Sequence, residues 1–212
     1  MLSVYQIERQ LRLRHWDVLL RGIVPLGMEL PLPLHIRLSQ QPVAVMGLAL
    51  RRVCELTYGP TAVSRDIACT LLAEQRSDGS FGVAGPDPLA TAAAINALTL
   101  LETSQPNHGL ASVPAAIDRA LLVLAAMQDD DGLFNAPDDR TEDDRATTAS
   151  FVLAILAGNE AFRRVLRFAD LMTWFDERAD SLPAPTADFW RLARIDTPVD
   201  AHPSPQLTAI AA

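Results

Sequence analysis

Residues 138–144 read Asp-Asp-Arg-Thr-Glu-Asp-Asp and crowd carboxylates into one short stretch. Two kinds of chemistry use such a cluster. Carboxylates are the hard oxygen ligands that Mg²⁺ takes, and Asp138, Asp139 and Glu142 have the spacing that would offer it a site. Where like charges and apolar surroundings raise its pKa, a carboxyl stays protonated and can act as an acid. The competing reading is structural. Acids in the first turn of a helix meet its positive end favourably, and acidic loops are commonly solvated. Pro137 and the surrounding pattern put Asp138 and Asp139 in a loop, so Mg²⁺ is the weaker alternative and no cofactor is expected. Asp129-Asp130-Asp131-Gly132 lacks the alternating spacing of a calcium loop, and no GxSxG, Walker loop, dinucleotide fingerprint or HExxH is present. His15 and His108 are isolated and read as surface or satisfied core histidines.

Composition bounds the scaffold that must position these acids. The chain has 212 residues, 49% of them hydrophobic, enough for one sizeable core. Its net charge of -8 argues against nucleic acid as a partner, because phosphate recognition needs a basic face. All 18 basic residues are arginine. Cys54 and Cys69 lack CxxC spacing and read as buried small apolar residues of a reducing compartment. No apolar run reaches the roughly 18 residues that span a bilayer. The first 22 residues are broken by Glu8, Arg9, Arg12, Arg14 and Asp17, unlike a signal peptide. A cytoplasmic location is the expectation.

Three regions follow along the chain. Residues 1–41 hold an amphipathic helix, expected to pack on the domain rather than lie on a membrane, and then a Pro-rich connection expected to be extended. Residues 42–180 show apolar helical runs at about 42–57, 61–75, 89–104, 112–128, 145–157 and 160–178, which make three helical hairpins. Ser64 and Ser112 fit as N-caps and Gly158-Asn159 as a helix stop. The runs LATAAAINALTLL and ATTASFVLAILA are apolar or small all round, the mark of helices buried on every side. Their neighbours keep a wet face with Asp66, Glu74, Asp118, Arg119, Arg163 and Arg167. Residues 181–212 are Pro- and Ala-rich and read as a tail, except for an apolar island at Phe189, Trp190, Leu192 and Ile195.

An internal echo joins these pieces. QRSDGSFG at 75–82 returns as QDDDGLFN at 128–135, each copy between an outer helix and a small-residue inner helix. The copies align onward, with Asp87-Pro-Leu-Ala-Thr facing Asp143-Asp-Arg-Ala-Thr. A period near 50 is typical of repeat architectures. Gln can bond helix-end backbone groups, Asp-Gly supplies a positive-φ turn, and Phe packs between layers. Gln75, Asp78, Gly79, Phe81, Gln128, Asp131, Gly132 and Phe134 therefore read as scaffold.

These QxxDGxF units resemble the repeat shared by squalene and oxidosqualene cyclases, class II diterpene cyclases and protein prenyltransferase beta subunits, over about residues 42–178. The resemblance implies an all-α fold, an α/α toroid with inner helices ringing an apolar cavity, here about three repeats or roughly half a ring. The zinc ligands of the prenyltransferase branch have no counterpart among the Cys and His positions. Class II cyclases carry a DxDD acid motif at the start of an inner helix, and the resemblance puts Asp143 and Asp144 on its last two acids. Thr141 replaces the first, with Glu142 as a partial substitute.

It implies an isoprenoid or other apolar small-molecule substrate and acid-initiated cyclisation or isomerisation, with Asp143, Asp144 and Glu142 as catalytic candidates. The other expectation is a non-catalytic helical scaffold or auxiliary subunit that binds a protein partner, its cavity filled by Phe151, Leu153 and Ile155. The ends of a half ring would expose apolar surface, so self-association or a partner subunit is expected.

Overall fold

The computed structural model describes residues 2–23, 30–137, 139 and 141–196, and among them the only regular elements are helices. The order is α1 (Val4–Leu13), α2 (Trp16–Ile23), α3 (Leu32–Ser39), α4 (Pro42–Leu56), α5 (Ala62–Glu74), α6 (Pro88–Ser104), α7 (Val113–Ala126), α8 (Glu142–Leu156), α9 (Glu160–Val165), α10 (Phe168–Arg178) and α11 (Ala184–Asp196). The protein is all-α, as its helical periodicity requires.

Helices α4, α6, α8 and α11 form a row in which each packs on the next. Burial follows the composition of that row. Pro88 to Ile95 of α6 and Thr148 to Leu153 of α8 are buried residue after residue, and so are Val43 to Leu50 of α4. Small side chains let these helices approach closely. A Cβ on Gly47 would come within 2.8 Å of the Ala93 carbonyl carbon and oxygen. Gly47→Ala should therefore cost about 1–3 kcal/mol by overpacking the α4–α6 seam, read as a lower denaturant midpoint with unchanged slope.

Outer helices α5 and α7 pack on α4 and α6, and α9 packs on α7. One hydrophobic core runs from Ile7 to Ala193. Phe151, Leu153 and Ile155 all lie within it.

The repeated loop is built alike in both copies. Gln75 Nε2 donates to the Gly79 carbonyl, and Gln128 Nε2 to that of Gly132. Asp78 accepts the Ser80 amide and Asp131 the Leu133 amide, closing Asx turns. Phe81 and Phe134 are fully buried. Gly79 and Gly132 have φ of +94° and +82°, and at each the next outer helix crowds the missing Cβ, through Arg119 and Leu171 respectively. Both reasons require glycine.

Several boundaries differ from the sequence reading. The first 22 residues form two helices, because Arg14 turns left-handed and caps α1 (φ 55°). The Pro-rich connection contains α3, for Pro33 sits in its first turn, where a missing N–H costs nothing; residues 24–29 lie outside the described residues.

The run 160–178 breaks between α9 and α10, since the Arg167 amide donates to Gln128 Oε1. Thr61, not Ser64, is the N-cap of α5, with Ser64 as the third helical residue of its capping box. Ser112 holds the cap position of α7 without a side-chain bond, and Asn159 caps α9.

The expected tail folds back. Helix α11 lies on α8, with Phe189 edge-on to Phe151 at 5.7 Å and Trp190 stacked on Phe175 at 5.0 Å. Ile195 lies where side chains are not described, and 197–212 lie outside the described residues. Thus α11 covers one end of the row, while α1, α2 and α3 cover the other against α4. This covering is what end repeats need.

Candidate functional site

The acidic stretch divides sharply. Thr141 is the N-cap of α8, its hydroxyl accepting the Asp144 amide while Asp144 Oδ2 accepts the Thr141 amide and hydroxyl. Asp144 thus serves a capping box. Asp143 and Glu142 are exposed in the first turn, and Glu142 lies 3.7 Å from Arg178. Because Thr141 caps the helix, Asp143 falls two residues inside it, whereas its aligned partner Asp87 is itself the cap of α6. The two aspartates therefore face different surroundings.

For the Mg²⁺ alternative, Asp138 lies outside the described residues and Asp139 is held by arginine. Among the described residues no three His, Cys, Asp or Glu side chains gather to hold a metal. Asp129 and Asp131 are bound by Arg145, and Asp130 by Arg167.

A buried polar cluster lies instead where α3 meets the starts of α6 and α8. Arg37 Nη1 bonds Asp139 Oδ1 at 2.5 Å and the Thr148 hydroxyl at 3.0 Å, and that hydroxyl lies 3.1 Å from the same carboxylate oxygen. The Asp139 side chain is 1% exposed. Asp87, also buried, accepts the Ala90 amide at 2.7 Å.

Burial pushes both carboxyls above the usual aspartate range. Arg37 opposes the shift at each, while Asp139 adds to it at Asp87. Arg37 Nη2 and Asp139 Oδ2 find no hydrogen-bond partner among the described residues. Arg37 and Asp87 were absent from the sequence candidates. A basic residue in the second turn of a Pro-bounded segment gave no signal of contact with positions a hundred residues away.

The sign of this shift fixes a pH dependence. Two carboxyls with raised folded pKa bind protons more tightly than the unfolded chain does, so stability is greatest on the acid side and is lost as pH rises through their folded pKa. Asp17 and Asp78 shift downward, but both are exposed and screened. The melting temperature should fall from the ordinary carboxylate range toward neutrality. Asp87→Asn keeps the cap and should flatten that slope; an unchanged slope would exclude Asp87 as its source.

A wider hollow lies elsewhere. A groove of about 670 Å³ runs between α1, α4 and α5, with Leu11, Trp16, Val43, Met46, Val63 and Ile67 among its lining and Glu8, Arg12, Arg14, Asp66, Glu74 and Arg76 around them. Its size and mixture of apolar and polar lining are those of a small-molecule site. Among the described residues no Cys or His lines it. Cys54 is buried, its thiol pushed up to about 11 by desolvation, whereas Cys69, expected to be buried too, is exposed because it falls on the wet side of α5. His108 is satisfied by Glu102 and the Leu110 amide.

Fold and site together define an all-α array of helical hairpins with a lateral groove. No family model matches the chain, and no match is found among curated proteins or solved structures. Among the described residues no helix is long and apolar enough to cross a membrane.

Proposed function

We propose that this chain binds an apolar small molecule of isoprenoid type, without turning it over, in the groove between α1, α4 and α5. The observation that carries the reading is the groove's apolar lining, to which α1 contributes Leu11, the start of α2 Trp16, α4 Met46 and α5 Ile67. Phe151, Leu153 and Ile155 of α8 are buried in the hydrophobic core, which supports the lateral groove over a space between the inner helices as the binding place. The exposed position of Asp143 and the capping role of Asp144 support binding over acid catalysis.

Calorimetric titration with farnesol should give saturable one-to-one binding. Val63→Phe, which fills the groove, should weaken it by about tenfold or more. Binding that is absent, or indifferent to that substitution, would overturn the assignment.

A turnover reading has one observation in its favour, the buried carboxyls of Asp87 and Asp139 at the starts of two inner helices. It requires product from a polyprenyl substrate that disappears in Asp87→Asn.

A further inference from the structure

The outward side of α1 carries Tyr5, Arg9 and Leu13 at four-residue spacing, and together with Glu8 and Arg12 they line a shallow hollow of about 320 Å³. Tyr5 is 72% and Leu13 49% exposed, so two large side chains with apolar surface stand together on this side of the helix. Past the Arg14 turn, Arg14, Trp16, exposed Val18 and Asp17, the last paired with Arg21 and His35, share the next hollow. This surface is basic against the trend of the molecule. Residues 1–23 hold four arginines and two acids in a chain whose net charge is -8.

Arg12 pairs with Glu8, and Arg21 with Asp17. Arg9 and Arg14 are exposed and have no ion-pair partner among the described residues.

We infer that the outer face of α1 and the Arg14 turn dock on an anionic lipid surface, with Tyr5, Leu13 and Val18 entering the headgroup layer and Arg9 and Arg14 meeting lipid phosphates. Charge complementarity selects the occupant: a basic strip with interleaved aromatic and aliphatic tips fits an anionic bilayer, and it stands out in a chain whose other residues carry the net negative charge. A neutral hydrophobic partner would leave the two free arginines without a counter-charge. Glu8, Arg12 and Arg14 also border the lateral groove, so docking in this orientation brings the groove mouth to the lipid. The docking stands whether or not the groove holds a ligand.

The full chain should co-sediment with vesicles containing phosphatidylglycerol and not with pure phosphatidylcholine vesicles, and added salt should release it. Each surface arginine contributes about fivefold to such partitioning, so Arg9→Glu with Arg14→Glu should weaken it by about 25-fold or more. Arg9→Lys with Arg14→Lys should retain it, and Tyr5→Ser with Leu13→Ser should reduce it at unchanged charge. Circular dichroism and melting of each variant check that these exposed substitutions leave the fold intact. Val63→Phe should leave vesicle binding unchanged, which separates this test from that of the groove. Three results would overturn the proposal: no sedimentation with anionic vesicles at low salt, sedimentation indifferent to charge reversal, or retention on immobilised polyglutamate without retention on vesicles, which would assign the face to an acidic polypeptide.

Discussion

Arg37→Ala is expected to destabilise the protein by about 3–5 kcal/mol, because it leaves the Asp139 carboxylate buried and without its counter-charge. For a chain of this size that corresponds to a fall in melting temperature of roughly 6–20 °C. The effect has a distinctive pH signature. Burial already raises the Asp139 pKa and Arg37 restrains the rise; without Arg37 the carboxyl stays protonated further toward neutrality. The loss of stability should therefore grow as pH increases through that range.

Arg37→Leu combined with Asp139→Leu should recover most of the loss, since a buried ion pair contributes little over an apolar pair of similar volume. A double-mutant cycle isolates the coupling. A cost below about 1 kcal/mol for Arg37→Ala would show that solvent reaches the pair and that α3 is held by apolar contacts alone.

The second large effect concerns the opposite end of the row. Phe175 is fully buried, stacked on Trp190 and edge-on to Trp174. Phe175→Ala should cost about 3–5 kcal/mol and should loosen α11 before the remaining helices. Trypsin cleavage at Arg191 and Arg194 reports that loosening directly, as both are exposed on α11. Leu192→Ala, a change on the wet side of the same helix, should leave both stability and cleavage nearly unaltered. If Phe175→Ala lowers stability while α11 stays protected, the Phe151–Phe189 contact and the Thr147–Thr186 bond are what hold it.

What the sequence disclosed and what it concealed have physical causes. The row of inner helices was legible because LATAAAINALTLL and ATTASFVLAILA have no polar face, and a helix of that kind must be surrounded. The QxxDG loops were legible because Gln, Asp and Gly each have a narrow role in a turn. Helix α3 was hidden because proline was read as a breaker, although in a first turn it is tolerated.

Helix α11 was hidden because its sequence signal came from an apolar island inside a proline-rich stretch; only a partner surface, the Phe151 and Phe175 rings, gives that island a place. The acid cluster was misread in detail for a related reason. Sequence alignment matches Asp143 with Asp87, but a capping threonine shifts the helix start by two residues, and Asp139 becomes the acid buried with Arg37. A pairing across 102 positions leaves no local trace.

The two loop glutamines do more than close their own turns. Gln75 also donates to the Ala116 carbonyl of α7, and Gln128 also accepts the Arg167 amide at the start of α10. Each loop therefore grips the outer helix of the following hairpin, and the structure is a chain of nearest-neighbour couplings. Cutting one link partitions the molecule without erasing it. With Gln128→Ala, amide exchange should accelerate from α9 onward while α4 to α7 keep their protection, so that a single side chain sets the boundary between two cooperative units.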